Sequence, residues 1–333
     1  MTEIPLIDVS PAMAPSASAA DVATVARTID RACRSVGFFS IVGHGADPAL
    51  FARLDALARD FFRRPDDEKA EISMERGGRA WRGWFPVFGE LTSGRPDRKE
   101  GLYVGEDHPP DHPLVVAGEP LHGANLFPAR PAGLGSTVMA WFAEMTRIGH
   151  QLMRIFEVAL GLPDRWIATN LTADPVRLFR IFHYPAGDTS DWGVGEHTDY
   201  GLVTLLAQDD CGGLQVHTGS AWLEVPPVSG ALVCNVGDML ELMTGGLWRS
   251  TPHRVRNTSG RMRLSFPFFF DPSWDAQVQP LPGCEPDPSR PVRRRWDGSD
   301  LLAYRGTYGG YLRSKVARVF PDLDAQVSDS AGR

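Results

Sequence analysis

The apolar positions of this chain follow two different periods, one that dominates the first half of the chain and one that dominates residues 176–270. In the first half, apolar residues recur three and four positions apart, which predicts helices over residues 19–36, 48–62 and 136–160. The helix over 136–160 carries one continuous apolar stripe, so we expect it to lie against a sheet. A last helix is predicted to close the chain at 301–320.

Between residues 176 and 270 the pattern changes to short β-rich runs, separated by glycine and proline about every ten residues. Strands are predicted at 178–184, 202–208, 214–217, 222–225, 231–236, 253–255 and 261–270, and earlier at 4–9 and 38–42. This spacing is typical of an antiparallel sandwich or a jelly roll. Residues 77–111 are rich in glycine, proline and mixed charge, and are predicted to be a long irregular stretch.

The composition is that of an ordinary globular protein. Of the 333 residues, 43% are apolar and 23% are charged, and the formal net charge is −7 with basic residues scattered among acids. A nucleic-acid-binding surface would show a basic stripe, so we predict no nucleic-acid partner. The cysteines show no Cys-x-x-Cys spacing, and no segment has the roughly 18 consecutive apolar residues of a membrane span. We therefore expect a cytoplasmic protein with no membrane partner.

The most informative motif is His197-Thr198-Asp199, with His253 further along the chain. Residues i and i+2 of a strand project to the same face, so His197 and Asp199 can reach one metal ion. Two imidazoles and one carboxylate can hold one face of a ferrous ion and leave three coordination positions open. The alternative is that His-x-Asp arises by chance and that His253 is a structural histidine of the core. An arginine close behind His253 favours the iron site.

That arginine belongs to Arg263-Leu264-Ser265. If residues 256–260 form a five-residue hairpin turn, His253 pairs with Arg263 on the neighbouring strand and the two side chains share a face. Ser265 keeps the same face. A guanidinium with a hydroxyl beside it suits a carboxylate, through charge-assisted hydrogen bonds of about 1.5 to 3 kcal/mol each. The alternative is a surface arginine, but the apolar residues around Arg263 make an unpaired charge there unfavourable.

The chain resembles the iron- and 2-oxoglutarate-dependent oxygenase superfamily, specifically its isopenicillin N synthase-like branch. The motifs that carry the resemblance are Ile4-Pro5-Leu6-Ile7-Asp8, Gly37-Phe38-Phe39 with Gly43-His44-Gly45, His197-Thr198-Asp199, Pro252-His253-Arg254-Val255 and Arg263-Leu264-Ser265. The resemblance implies a mainly β fold with flanking α-helices, whose double-stranded β-helix (jelly-roll) core is backed by the long helix. We expect one integrated unit with an N-terminal helical and irregular region (1–130), the long helix and core (131–275), and a C-terminal loop and helix (276–333).

The resemblance also implies a reaction and its cofactors. His197, Asp199 and His253 would form the catalytic centre as the ligands of Fe(II), with O2 as the oxidant. The co-substrate 2-oxoglutarate would chelate the iron through its keto-acid end, and decarboxylation would yield succinate. Two side chains, Arg263 and Ser265, would bind its far carboxylate.

Tyr184, in His183-Tyr184-Pro185, matches a family tyrosine that helps to hold the same carboxylate. A purely structural tyrosine on a strand is the alternative. Many plant members carry an asparagine two residues before this tyrosine, where the present chain has Phe182. This departure weakens the likeness to a plant co-substrate pocket only slightly.

Substrate recognition in this fold usually comes from segments that fold over the mouth of the barrel. Arg82, Trp84 and Phe85 are the candidates here, because arginine and aromatic residues at a pocket rim can hold a planar or acidic substrate. The alternative is that Trp84 and Phe85 simply anchor the loop to the core. Phe269 is a fourth candidate, as an aromatic wall of the cavity or as a core residue.

Other polar features are interpreted as structural or solvated. Lys99-Glu100 is predicted to be a solvated charge run, and Arg293-Arg294-Arg295 is too short for a nucleic-acid-binding patch. Four histidines have no ligand-spaced partners and are predicted to be structural or on the surface: His44, His150, His183 and His217.

Three functions are compatible with these residues. The leading one is a 2-oxoglutarate-dependent hydroxylase or desaturase that acts on a small molecule. The second is a 2-oxoglutarate-independent iron oxidase of the same branch, in which Arg263 and Ser265 bind the substrate's own carboxylate. The third is a non-catalytic jelly-roll binding module, which would have no reason to keep open iron positions.

Overall fold

The computed structural model describes residues 3–187, 191–285, 295 and 298–320. The strands within these residues are β1 Leu6–Asp8, β2 Phe38–Val42, β3 Gly83–Phe85, β4 Glu100–Gly105, β5 Pro175–Tyr184, β6 Val194–His197, β7 Val203–Gln208, β8 Leu214–His217, β9 Trp222–Val225, β10 Leu232–Val236, β11 His253–Val255 and β12 Arg263–Ser273. The helices are α1 Ser10–Met13, α2 Ala19–Ser35, α3 Pro48–Phe62, α4 Asp66–Lys69, α5 Pro113–Val116, α6 Leu134–Leu160, α7 Trp166–Asn170, α8 Asp238–Met243 and α9 Tyr308–Val319.

The described strands form two sheets. The larger has eight strands in the order β1-β2-β10-β7-β12-β5-β4-β3, and the smaller has four in the order β6-β11-β8-β9. Every pairing except the parallel β1–β2 pair is antiparallel. Residues of both sheets line one cavity, so the cavity lies between them. The prediction of a mainly β jelly roll with flanking helices is confirmed.

The long helix α6 packs its apolar stripe against the larger sheet, as the periodicity predicts. It passes β12 closely at Gly149, where an added Cβ atom would lie 2.4 Å from the ring of Phe270. The helix ends at Gly161, whose φ of 69° is the left-handed conformation that commonly terminates helices. Among the described helices, none is long and apolar enough to cross a membrane.

The prediction that residues 77–111 are wholly irregular is wrong. The stretch contains β3 and β4, which extend the larger sheet because β4 pairs with β5 over its whole length. Charged and glycine residues interrupt the apolar alternation of β4, which hides the strand in the sequence. Gly101 is needed there, since a Cβ atom would lie 2.6 Å from the ring of Phe85.

The predicted hairpin between 253–255 and 261–270 is also wrong. β11 pairs with β6 and β8 in the smaller sheet, whereas β12 pairs with β5 and β7 in the larger one. Residues 256–262 therefore cross between the sheets. The side chain of Asn257 holds the crossing, because its amide donates to the carbonyl oxygens of Tyr184 at 3.1 Å and Arg261 at 2.7 Å.

The closing helix is shorter than the sequence predicts. A 3₁₀ turn at Leu301–Ala303 precedes α9. Gly306, between the two, has a φ of 143°, which interrupts the helical conformation. The helix then begins behind Thr307, whose hydroxyl accepts a hydrogen bond from the Gly310 amide. Residues 286–294, 296–297 and 321–333 of the predicted C-terminal segment lie outside the described residues. The predicted boundaries at 130 and 275 stay predictions.

Candidate metal centre

The residues of the His-x-Asp motif and His253 meet between the two sheets. His197 is the last residue of β6, His253 is the first of β11, and the two are direct partners in the smaller sheet. Asp199 follows two residues beyond β6. The Nε2 atoms of both histidines lie 3.8 Å from Oδ1 of Asp199, and the three ligand atoms all lie within 4.8 Å of one another. Three such atoms at this spacing can hold one metal ion.

Backbone carbonyl groups orient both imidazoles. Nδ1 of His197 donates to the carbonyl oxygen of Gly195 at 2.8 Å, and Nδ1 of His253 donates to that of Thr251 at 3.2 Å. A proton on Nδ1 leaves Nε2 deprotonated and free to bind a metal, which is the arrangement that outer hydrogen bonds commonly enforce on metal-binding histidines.

The carboxylate of Asp199 is held through its other oxygen. Oδ2 accepts hydrogen bonds from Thr204 Oγ1 at 2.5 Å and Asn235 Nδ2 at 2.7 Å, so Oδ1 is left facing the imidazoles. Burial raises the pKa of Asp199, but the two imidazoles and these hydrogen bonds outweigh it and lower the pKa overall. Burial, together with the neighbouring His253, lowers the pKa of His197. The lowered pKa values of Asp199 and His197 favour an ionised carboxylate and a neutral imidazole, which are the forms that bind a metal.

Arg263 lies fully buried on the opposite wall of the cavity. Its Nε donates to the carbonyl oxygen of Gly212 at 2.5 Å, and its Nη2 lies 3.5 Å from Oε1 of Gln208. Nη1 is buried and has no hydrogen-bond partner among the described residues. A buried guanidinium nitrogen without a partner is costly, so this atom marks a place where an anionic ligand fits.

Ser265 and Tyr184 lie beside this guanidinium. Tyr184 is the direct partner of Arg263 in the ladder of β5 and β12, and the guanidinium carbon lies 4.6 Å from the tyrosine ring centroid. The hydroxyl groups of Tyr184 and Ser265 are 3.2 Å apart. Arg263 and His253 therefore do share a cavity, but they face each other from different sheets and not along one hairpin.

Lys99 and Glu100 are buried, so their prediction as a solvated charge run is wrong. The Lys99 side chain is 1% exposed, and its Nζ lies 2.8 Å from Glu90 Oε2 and 2.6 Å from Asp97 Oδ2. Asp97 in turn accepts a hydrogen bond from the backbone N–H of Gly195 at 3.1 Å, within the strand that carries His197. This network therefore connects the residues just before β4 to β6.

The structure does not bring Arg82, Trp84 and Phe85 to the cavity, which corrects their prediction as substrate residues. Arg82 donates to the carbonyl oxygens of Ala80 and Leu121. Trp84 is buried and donates to Glu100 at 2.7 Å, and Phe85 packs behind the ring of Phe182. The reason is topological, since β3 is the outermost strand of the larger sheet. Of the four predicted substrate residues, Phe269 lines the cavity.

The sequence-based interpretation missed other residues of the site. Arg180 lines the cavity from the same face of β5 as Tyr184, and counting alternate residues back from Tyr184 would have found it. Arg295 donates to Thr198 Oγ1 at 3.0 Å, beside Asp199 of the candidate metal centre. Nothing in the sequence links residue 295 to residue 198.

A jelly roll in which two imidazoles and one carboxylate converge between the sheets defines the class of mononuclear non-haem iron enzymes. Two family models match the chain. One, described as the N-terminal region of non-haem dioxygenases in morphine synthesis, matches residues 4–130, and one for the 2OG-Fe(II) oxygenase superfamily matches residues 175–272. The chain belongs to the 2OG-Fe(II) oxygenase superfamily.

Similar proteins cover nearly the whole chain. A probable iron/ascorbate oxidoreductase of Dictyostelium discoideum is 45% identical over 329 residues, with 91% of each chain covered. A 1-aminocyclopropane-1-carboxylate oxidase of the same organism is 33% identical over 361 residues, with 96% of each covered. The solved structure of a full-length Neurospora crassa protein in complex with α-ketoglutarate (2-oxoglutarate) matches with a TM-score of 0.78 and 25% identity, covering 94% of this chain and 96% of that one.

These likenesses confirm several predictions from the sequence. The fold is the double-stranded β-helix of this superfamily, and the protein is an oxygenase of the 2OG-Fe(II) superfamily, whose cofactors are Fe(II), 2-oxoglutarate and O2. The His-Asp-His group has the donor set that suits Fe(II), and the unpartnered Nη1 of Arg263 suits a carboxylate. The described residues therefore fit both groups.

Proposed function

We propose that this protein couples the decarboxylation of 2-oxoglutarate to the hydroxylation or desaturation of a small molecule. In the hydroxylation, 2-oxoglutarate, O2 and the C–H bond of the substrate give succinate, CO2 and an alcohol. His197, Asp199 and His253 would hold the Fe(II), which would supply the oxidation chemistry together with the keto acid and O2.

The observation that carries the proposal is the buried, unpartnered Nη1 of Arg263 in the same cavity as the three ligand atoms. Arg263 binds the far carboxylate of 2-oxoglutarate, and the hydroxyl groups of Ser265 and Tyr184 complete its hydrogen bonds. The guanidinium thereby fixes the direction in which the keto-acid end points.

When bound, Fe(II) supplies the redox chemistry that divides O2 between co-substrate and substrate. The chain contributes binding and orientation. Backbone carbonyl groups keep Nε2 of both imidazoles aimed at the ion, while Thr204 and Asn235 keep one oxygen of Asp199 turned toward it. A small-molecule substrate and the absence of a nucleic-acid partner are part of the same proposal. So is a cytoplasmic location, which the four free cysteines fit.

The test is a titration of the anaerobic Fe(II) protein with 2-oxoglutarate, followed by its visible charge-transfer band, and a succinate assay after O2 is admitted. We expect a saturable band and one succinate per product. Arg263→Gln should raise the 2-oxoglutarate concentration at half-saturation roughly 10- to 100-fold, since it removes a charge-assisted carboxylate contact. The matched control is Arg261→Gln, because Arg261 is 61% exposed and pairs with Asp210 outside the cavity. An unchanged midpoint in Arg263→Gln would contradict the assignment.

The second candidate is a 2-oxoglutarate-independent oxidase, which the likeness to a 1-aminocyclopropane-1-carboxylate oxidase favours. Arg263 and Ser265 then bind the carboxylate of the substrate itself. In that case the same titration gives no band, and substrate oxidation consumes O2 without forming succinate.

A further inference from the structure

A second guanidinium lies on the same wall of the cavity as Arg263. β5 turns Leu178, Arg180, Phe182 and Tyr184 toward the cavity, since alternate residues of a strand share a face. Tyr184 is opposite Arg263 in the ladder. Arg180 is four residues away along the same strand, so it lies roughly 13 Å from that end of the wall. The wall therefore carries a cation near each end.

The described residues leave the guanidinium of Arg180 without a hydrogen bond. The nearest carboxylate oxygen, Oε1 of Glu90, lies 3.8 Å from its Nη1, beyond hydrogen-bond distance. That oxygen already accepts the hydroxyl of Tyr103, and the other oxygen of Glu90 pairs with Lys99. Nε of Arg180 is buried without a hydrogen-bond partner in the described part of the chain, although the side chain as a whole is 15% exposed.

Aromatic rings hold this guanidinium in place without using its donors. Its central carbon lies 4.0 Å from the ring centroid of Tyr103 and 4.9 Å from that of Phe269. Contacts of this kind stabilise a cation over the face of a ring. The N–H groups at the edge of the guanidinium plane remain available to a ligand in the cavity.

Apolar side chains form much of the cavity lining, which also includes the polar residues Glu90, Lys99, Tyr200 and Asp271. Helix α9 contributes Leu312, Val316 and Val319, and Phe320 follows it. On the sheet side, Phe269 and Phe182 line the same space. A ligand that reaches Arg180 therefore has an apolar body against these side chains.

We propose that Arg180 binds the carboxylate of the primary substrate, a small monocarboxylic acid with an apolar body. The planar fork of an arginine offers two parallel N–H groups, which a carboxylate can accept at once and a neutral carbonyl oxygen matches less well. The separation from Arg263 lets the acid and 2-oxoglutarate bind together. The inference rests on the proposed function, because it assigns Arg263 to the co-substrate and leaves Arg180 for the substrate.

The experiment is calorimetric binding to the full-length, metal-free protein, so its result does not depend on iron or turnover. The probes are 3-phenylpropionate, octanoate and their matched carboxamides. We expect at least one acid to bind at least roughly tenfold tighter than its amide. Arg180→Gln should remove this preference, and Arg180→Lys should keep part of it.

Two further variants locate the effect. Arg177→Gln is the matched control, because Arg177 lies on β5 but outside the cavity, where it pairs with Glu106. It should keep the preference, and so should Arg263→Gln. The proposal is overturned if no acid is preferred over its amide, if Arg180→Gln keeps the preference, or if Arg263→Gln removes it. Failure of the 2-oxoglutarate titration with an intact Arg180 effect would instead overturn the proposed function alone.

Discussion

The two sheets face the same cavity but support their polar side chains in different ways. In the smaller sheet, each imidazole is oriented by a carbonyl group two residues earlier, Gly195 for His197 and Thr251 for His253. In the larger sheet, the guanidinium of Arg263 is held by a residue distant in sequence, since it donates to the carbonyl oxygen of Gly212, 51 residues away. The comparison teaches that the orientation of a side chain can be predicted from the sequence where its hydrogen-bond partner is a near neighbour, and not where that partner lies far along the chain.

The largest effect should come from Asp199, which faces the two histidines of the smaller sheet and accepts hydrogen bonds from Thr204 and Asn235 of the larger sheet. Asp199→Ala removes the single carboxylate ligand, so iron binding should fall by more than the roughly 10- to 100-fold that the loss of an outer hydrogen-bond partner costs. Turnover should disappear with it. Iron content after equilibrium dialysis measures the effect, and Asp60→Ala, at a side chain of α3 that is 52% exposed, is the control. Retention of iron by Asp199→Ala would remove this residue from the metal centre.

The buried charges between β3 and β4 should matter most for stability. Lys99→Met leaves Glu90 and Asp97 buried without their shared cation, and breaking a buried ion pair from one side costs about 3–5 kcal/mol. Urea unfolding measures the loss. Arg261→Met, at an exposed arginine, should leave the unfolding midpoint unchanged. If the two variants unfold alike, the network does not stabilise the larger sheet.

An intermediate effect is expected where the larger sheet supports a ligand of the metal centre. Asn235→Ala removes one hydrogen bond to Oδ2 of Asp199, so the affinity for iron should fall roughly 10- to 100-fold. Competition with a chelator gives the affinity. Asn170→Ala provides the control, because the amide of Asn170 donates to a nearby carbonyl group in an exposed helix. Equal affinities in the two variants would show that Asn235 does not orient the carboxylate.

The smallest effect concerns the pH dependence of stability. Burial raises the pKa of Glu100, but its hydrogen bonds with His183, Lys69 and Trp84 outweigh burial and lower the pKa below its ordinary value of 4.5. The ionised carboxylate therefore stabilises the fold above pH 4.5, and this contribution is lost as the pH falls through the lowered value.

Unfolding midpoints measured between about pH 3 and pH 6 test this expectation. The midpoint of the parent protein should fall more steeply with acid than that of Glu100→Gln. Parallel curves would mean that the hydrogen bonds of Glu100 do not favour its ionised form.

The sequence alone predicts much of the fold. The strands at 38–42, 214–217, 222–225 and 253–255 and the helix at 48–62 have the predicted bounds, because each is a continuous local pattern of apolar residues. β6 was missed, since Gly193 and Gly195 interrupt its short apolar run. The prediction of a hairpin at 253–263 is wrong because no local sequence signal distinguishes a hairpin turn from a loop that crosses to the other sheet.

The candidate site shows the same limit. His197, Asp199 and His253 could be recognised from residue types and spacing. Lys99 could not, because its partner Glu90 lies nine residues away in a stretch whose pairing with β5 is invisible in the sequence. Arg180 lies on a strand that the sequence predicts. Because it is an even number of residues from Tyr184, it shares the face of that strand which lines the cavity, and this alternation was enough to identify it.

Two hydrogen bonds join the stretch before β4 to β6, the strand that ends at His197, and to the residues just before it. Asp97 accepts the N–H of Gly195, and the N–H of Arg98 donates to the carbonyl oxygen of Trp192 at 2.9 Å. Residues 97 and 98 belong to the N-terminal region at 4–130, and their partners belong to the oxygenase core at 175–272. Chimeras that recombine these regions from two relatives must therefore exchange residues 97–98 and 192–195 as one unit. Otherwise the two hydrogen bonds would have to form between residues of different parent proteins, next to His197.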